Sequence, residues 1–159
     1  MKIFYSNRAR RLLANLLLML TLLITGENIY ALVDELIQVD STSAVESLLN
    51  DAKKYYEMKQ FEQAAALLER ALRIEPRNPI LWHNLAGIRL AQADWKRAAN
   101  LATKSNTLAG NNNDYKELRL RNWVIVTRAC EGMGDFNCAQ EARNRAQALA
   151  RALHTEKPS

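Results

Sequence analysis

The chain has 159 residues, of which 48% are apolar, 25% charged and 7% aromatic, so we expect one compact domain and exclude disorder throughout. Five glycines and three prolines offer little turn chemistry for a sheet of many short strands, which favours an all-α fold. Two cysteines and two histidines exclude a disulfide-dense scaffold and the usual metal sites, and we expect no cofactor and no metal. Residues 1–31 carry +3 of the net charge of +5, so we expect no nucleic-acid binding.

The N-terminal segment, residues 1–31, has the pattern of a secretory signal peptide. A positive stretch over residues 1–11 precedes an apolar run of about 13 residues, which is shorter than the roughly 20 residues of a membrane span. Cleavage after Ala31 fits best, although Ile29 is not ideal at the accompanying upstream position. We therefore expect export to the periplasm. The alternative is an uncleaved signal anchor that holds the protein in the inner membrane through residues 12–25.

Residues 32–44 are predicted to be a linker or a short capping helix. Their apolar side chains stand at helical spacing, and a polar cluster of serine and threonine follows. Ser43 and Glu46 have the spacing of a capping box, so they are expected to cap the next helix. A short helix in this segment would cover one end of the fold.

A period of 34 and then 41 residues runs through the rest of the chain. A bulky apolar residue recurs at one phase, an aromatic residue at a second and alanine at a third. Each unit contains two apolar-periodic stretches separated by a short polar break, which predicts a helix, a turn and a helix. The residues that carry the period are Leu48, Trp82 and Trp123, then Phe61, Trp95 and Phe136, then Ala64, Ala98 and Ala139.

With this period the sequence resembles the tetratricopeptide repeat (TPR) family, whose unit is a 34-residue helical hairpin. The first repeat has the residues that the family pattern expects at Leu48, Ala52, Tyr55, Phe61, Ala64, Leu68, Ala71 and Pro76. The resemblance implies three TPR-like helical hairpins stacked in a short right-handed solenoid, which is about the minimum number of repeats for stability. The implied TPR domain covers residues 45–153, with repeats at 45–78, 79–112 and 120–153, and a tail follows at 154–159.

Seven extra residues lie between the second and third repeats. They amount to about two helical turns, so the phase of the apolar pattern is preserved. Asp114 and Glu117 have the spacing of a capping box, so the first helix of the third repeat is expected to begin near Tyr115 and to be lengthened. An ordinary long loop is the alternative.

Cys130 and Cys138 straddle the turn of the third hairpin. They lie on opposite helices close to the bend, where their Cα atoms can come within disulfide range. A structural disulfide there would contribute on the order of 2–3 kcal/mol by restricting the unfolded chain. Two buried inert thiols are one alternative, and a redox-active pair is another, although the C-x-x-C spacing of redox motifs is absent.

The last predicted helix ends without a separate capping helix after Leu153. Its apolar residues either expose some surface or pack on another chain, so a homodimer is one expectation. A polar-decorated terminal helix that tolerates exposure is the other.

By resemblance, four residues of each repeat face a concave groove. The mixture is apolar with a basic side, which suits an extended or helical peptide with hydrophobic anchors and acidic residues. His83 falls in this set, and we interpret it as a hydrogen-bonding surface group and not as a ligand. The predicted partner-binding residues are Lys53, Tyr56, His83, Gly87, Leu90, Arg121, Val124 and Arg128.

The sequence contains no motif of catalytic chemistry, so we expect no enzyme. The hypothesis is a non-catalytic adaptor or scaffold of the bacterial cell envelope, which binds peptide segments or partner proteins through the TPR groove, in a membrane-associated complex or alone. A cytosolic TPR-type secretion chaperone is an alternative. A thiol-disulfide active protein that uses Cys130 and Cys138 is another.

Overall fold

The computed structural model describes residues 42–155, and this part of the chain is helical. The predicted signal peptide at 1–31, nearly all of the 32–44 segment and the last four residues lie outside the described residues. Within 42–155, no helix is both long and apolar enough to cross a membrane. The helices are α1 (Ser43–Glu57), α2 (Phe61–Ile74), α3 (Pro79–Ala91), α4 (Trp95–Ala109), α5 (Lys116–Gly132) and α6 (Phe136–Thr155), with a 3-10 turn at Asn113–Tyr115.

The six helices pack as three successive hairpins, α1 with α2, α3 with α4 and α5 with α6. Neighbouring hairpins meet where α2 contacts α3 and where α4 contacts α5. This arrangement confirms the all-α fold of TPR-like hairpins. Small residues allow the close approach of the helices, since Ala52 and Ala64 in the first hairpin and Ala98 in the second are fully buried.

The apolar core is continuous through α3. Leu81 and Ile88 pack with the first hairpin, whereas Ala86 and Leu90, on the same helix, pack with the second and third hairpins. A fully buried leucine or isoleucine stabilises the fold by about 2 kcal/mol relative to an exposed one. Because α3 serves both clusters, we expect the hairpins to unfold together and not one by one.

The three hairpin turns share one backbone conformation. Lys59, Ala93 and Gly134 all have positive φ, at 58°, 57° and 73°. Only Gly134 adopts this left-handed conformation without strain from a Cβ atom. The residue after each of them donates its N–H to a carbonyl five residues earlier, as from Asp135 to Cys130 at 2.9 Å, and so closes the preceding helix.

The predicted capping box of Ser43 and Glu46 is wrong. Thr42 holds the N-cap position of α1, and its side chain makes no cap bond. The Thr42 hydroxyl and N–H instead donate to the Glu75 carboxylate, each at 3.2 Å. The amide of Asn78 also donates to Glu75, and this bond is the main reason that the pKa of Glu75 is lowered. These bonds tie the start of α1 to the end of the first hairpin.

The lengthened first helix of the third hairpin is confirmed, because α5 has 17 residues and α3 has 13. It begins one residue after the expected start, following a single 3-10 turn. The cap is Asn112, whose side chain accepts the Asp114 N–H at 3.0 Å. The predicted capping box of Asp114 and Glu117 is therefore wrong, because the 3-10 turn runs directly into α5 and Glu117 pairs with Arg121 at 2.7 Å.

Candidate protein-binding groove

All three hairpins contribute side chains to one open pocket of about 240 Å³. The first hairpin provides an aromatic ring, the second provides apolar side chains and a tryptophan, and the third provides charged groups at the edge. The pocket therefore exists only when the three hairpins are stacked. Its lining residues are Tyr56, Gly87, Leu90, Ala91, Trp95, Arg128 and Glu131.

Contacts with neighbouring residues position the two aromatic rings of this pocket. The ring of Tyr56 packs at a tilted angle on Phe61, with 5.6 Å between the ring centroids. Trp95 lies on the backbone of Gly132, so closely that a Cβ atom there would stand 2.5 Å from the indole ring. Because only glycine leaves that space, the indole joins the second hairpin to the third and forms a fixed wall of the pocket.

The charged edge of the pocket is one turn of α5. Arg128 and Glu131 both line the cavity, and Glu131 forms a salt bridge with Arg143 of α6. The lining of the pocket thus holds one guanidinium group and one carboxylate, and Arg143 pairs with that carboxylate from outside the lining. Because Glu131 is paired with Arg143, an acidic group on whatever binds there would meet the guanidinium of Arg128.

Comparisons with known proteins agree with this architecture. Residues 55–121 match the tetratricopeptide repeat family. The globular C-terminal domain of LpoP from P. aeruginosa is a similar solved structure, with 33% identity and a TM-score of 0.63 over 68% of this chain and 99% of that one. The chain belongs to the tetratricopeptide repeat family. A search of curated proteins finds no match to this TPR protein.

The structure brings four of the predicted groove residues of this TPR protein to the pocket, namely Tyr56, Gly87, Leu90 and Arg128. Lys53 is half-buried on α1, one turn before Tyr56. The pocket also includes Glu131, which holds a groove position of the third repeat, and it includes Ala91 and Trp95, which the predicted set omits. The aromatic phase of the repeat at Trp95 was the sequence signal for one of them.

The other predicted groove residues lie elsewhere. Arg121 is half-buried and pairs with Glu117 along α5. His83 and Val124 are only 2% and 3% exposed, so they belong to the interior of the helical stack. Their burial works against contact with a partner at the surface of the groove, and a role for them in binding stays a prediction.

A buried hydrogen-bond network joins α3, α4 and α5 beneath the groove. Nδ1 of His83 lies 2.7 Å from Oδ1 of Asn122, and the Asn122 amide donates to Ser105 Oγ at 2.8 Å and to Asn106 Oδ1 at 2.9 Å. The Ser105 hydroxyl donates to the carbonyl of Pro79 at 2.7 Å. Because the Asn122 nitrogen donates twice, its oxygen must accept, and we assign the His83 proton to Nδ1.

Burial lowers the pKa of His83 to about 4 by removing the charged ring from water. The hydrogen bond to Asn122 opposes this shift, and the positive charge of Arg121 adds to it. His83 is therefore neutral near neutral pH. It acts as a structural link between hairpins, so the expected hydrogen bonding is present. The expected place at the surface is wrong, because the neighbouring helices bury the side chain. In residues 42–155, no group of three or more side chains suits a metal ion.

The cysteines lie directly behind the charged edge. Cys130 of α5 is fully buried, Cys138 of α6 is half-buried, and their sulfur atoms lie at bonding distance with the Cα atoms 5.8 Å apart. The pair joins the two helices of the third hairpin next to its turn. A disulfide at this place would hold the end of α5 and the start of α6 together.

Replacing both Cys130 and Cys138 by alanine is expected to lower the free energy of unfolding by about 2 to 3 kcal/mol, because a short closed loop no longer restricts the unfolded chain. Chemical denaturation followed by circular dichroism measures this difference. The matched control is the unaltered protein with and without reductant, which is expected to lose a similar amount. An unaltered protein whose unfolding midpoint does not respond to reductant contradicts the bond.

Proposed function

We propose that this TPR protein is a non-catalytic adaptor of the bacterial cell envelope, which binds a segment of a partner protein in its groove. The pocket to which all three hairpins contribute is the observation that carries the proposal. TPR stacks present extended concave surfaces to protein partners. At about 240 Å³ the pocket is smaller than the roughly 300–1,000 Å³ of small-molecule sites, which favours a single apolar side chain as its occupant.

The pocket chemistry defines the segment that fits. An aromatic or long aliphatic side chain would enter between Tyr56, Leu90 and Trp95, where it loses contact with water. An acidic residue beside that anchor would meet Arg128 at the rim. The proposed partner segment therefore pairs one large apolar anchor with a neighbouring aspartate or glutamate.

Substitutions at the pocket test this binding mode. The full chain is used to select peptides from a display library of random short sequences, and the selected peptides are expected to carry an apolar anchor with an acidic neighbour. Tyr56→Ala and Arg128→Glu are each expected to weaken those peptides by about tenfold or more, by losing the wall and by reversing the rim charge.

The matched control is Lys104→Glu, which makes the same reversal of charge at an exposed position of α4 that does not line the pocket. It is expected to leave peptide binding within about twofold. Peptides that bind equally to the Tyr56 and Arg128 variants would refute the groove as the binding site.

The envelope part of the proposal rests on two sequence features, the leader pattern of residues 1–31 and the cysteine pair. Disulfides form and persist mainly in oxidising compartments such as the periplasm. Cell fractionation with intact-mass measurement tests this part. A periplasmic species cut near Ala31, and about 2 Da lighter before reduction because a disulfide lacks two hydrogens, is the expected result.

Other outcomes of the same fractionation separate the alternatives. An uncut species in the membrane means a protein anchored by residues 12–25. An uncut soluble species with free thiols means a cytosolic secretion chaperone. A thiol-disulfide activity is tested by insulin reduction, and the burial of Cys130 works against it, because reactive cysteines are partly exposed.

A further inference from the structure

The most exposed of the large apolar side chains in the described part of the chain is at the start of α6. Phe136 is 78% exposed, and Met133, in the adjoining turn, is 44% exposed. An aromatic ring in water forgoes the stabilisation that burial would give it. Phe136 therefore marks a surface that is suited to a contact with another molecule.

The internal repeat shows what covers a ring at this position. Phe61 and Trp95 hold the same phase as Phe136, and both are half-buried against the apolar core. The Trp95 ring is covered by the first helix of the following hairpin, at Gly132. A small residue also holds the position of Gly132 in the second repeat, where it is Ala91 of α3. In residues 42–155, no hairpin follows α6 to cover Phe136 in the same way.

We propose that the outward face of α6, centred on Phe136, docks a helix of a partner protein that presents glycine or alanine to the ring and carries acidic residues. The contact would continue the packing that Trp95 and Gly132 make inside the stack. Arg151 stands one turn after Gln147 on the same side of α6 and is exposed, so it favours an acidic residue on the partner helix. This site is separate from the groove.

The face beyond the ring also suits a helical partner. Gln140, Asn144 and Gln147 follow Phe136 along one side of α6 at helical spacing, and all three are exposed and uncharged. These uncharged side chains can be covered at a smaller desolvation cost than charged ones. Because α6 has 20 residues and is about 30 Å long, it offers several helical turns to a partner.

A second copy of this chain does not fit the site by head-to-tail stacking. In that arrangement α1 of one copy would pack on α6 of the other copy, in the same way as α5 packs on α4 within one chain. The residue of α1 at the register of Gly132 and Ala91 is Glu57. Its carboxylate would lie over the Phe136 ring and lose its water, which is unfavourable. This argues against head-to-tail stacking of copies, and the proposed occupant is a helix of a different protein.

The turn holds the ring in place for this contact. The cysteine pair joins α5 to α6 only two residues from Phe136, and the Asp135 carboxylate accepts the Cys138 N–H at 3.0 Å. A ring that is fixed before binding loses less conformational freedom when the partner arrives.

Site-specific photo-crosslinking tests the proposal. The full chain is produced, in the organism that encodes it, with p-benzoylphenylalanine in place of Phe136, and the linked peptides are mapped by mass spectrometry. The matched control carries the same photoreactive residue at the exposed Lys104 of α4. The expected product, at several times the yield of the control, is a link to a glycine or alanine within an acidic helix of another protein.

A second change makes the expected product specific. Replacing the linked glycine or alanine of the partner by leucine is expected to remove the cross-link, whereas Arg128→Glu in the groove is expected to leave it. The proposal is overturned by a link between two copies of this chain, by a link to residues 1–41, or by a yield no higher than that of the Lys104 control.

Discussion

Replacing Asn122 by alanine is expected to lower the free energy of unfolding by about 4 kcal/mol. Asn122 makes three hydrogen bonds that join α3, α4 and α5, two of them buried and the one to Asn106 part-buried, and its removal leaves His83 Nδ1–H and Asn106 Oδ1 without these partners. Each buried polar group without a partner costs about 1–3 kcal/mol, and the cavity left by the side chain adds to the loss. Urea denaturation followed by circular dichroism measures the change.

The matched control for this prediction is Asn106→Ala. Asn106 belongs to the same network but is only half-buried, and its Nδ2 is a buried nitrogen with no hydrogen-bond partner. Its removal deletes a donor that has no partner and one acceptor, the oxygen that receives the hydrogen bond from Asn122. The expected loss of unfolding free energy is therefore about 1 kcal/mol or less. Equal losses for the Asn122 and Asn106 variants would show that the network does not join the hairpins as described.

The stability of the domain is expected to fall by about 3 kcal/mol as the pH is lowered from 6.5 to about 4. The pKa of His83 is 6.5 in the unfolded chain and about 4 in the folded one, chiefly because of burial. Between these values the unfolded chain binds a proton that the folded chain does not. The contribution of uncharged His83 to the free energy of unfolding is therefore fully present above pH 6.5 and is lost as the pH falls towards 4.

The variant His83→Gln isolates this effect, because glutamine retains a hydrogen-bond donor but does not titrate. Its free energy of unfolding, measured by urea denaturation at a series of pH values, is expected to be nearly constant over the same range. Glu75, whose pKa is also lowered, loses its contribution only below about pH 4.5, so the two groups are distinguishable. A His83→Gln profile as steep as that of the unaltered protein contradicts the assignment.

The helices and their pairing could be predicted from the sequence because the same residue pattern recurs in each repeat. The aromatic and alanine phases recur at 34 and 41 residues, and prolines at 76 and 79 separate the first two hairpins. The insertion of about two helical turns preserved the phase, so the longer α5 was predictable too. Periodicity of this kind identifies which side of each helix faces the core.

Periodicity does not show how deeply a side chain lies, and here the sequence was less informative. His83 and Val124 hold groove positions by phase, but the neighbouring helices cover them almost completely. Asn122 finds its partners on α3 and α4 through contacts between hairpins, which no local pattern encodes. The polar Ser105 at an alanine phase was the one visible signal of this network.

The predictions of the helix caps were wrong for a different reason. Ser, Thr, Asn and Asp residues compete for the same role over a few neighbouring positions, and the tertiary contacts decide between them. Thr42 donates to Glu75, and Asn112 caps the turn before α5. Neither of these outcomes could be predicted from residue spacing.

The most direct test of the proposed groove is NMR shift mapping on isotope-labelled protein with a peptide selected as above. The prediction is a shift of the Trp95 indole N–H signal, together with the amide signals around Tyr56, Leu90 and Arg128, and little change at Lys104. The signals of α6 around Phe136 are expected to stay in place. Shifts centred on α6, with no shift of the Trp95 indole N–H signal, would contradict the proposal that this TPR protein binds its partner through the pocket shared by its three hairpins.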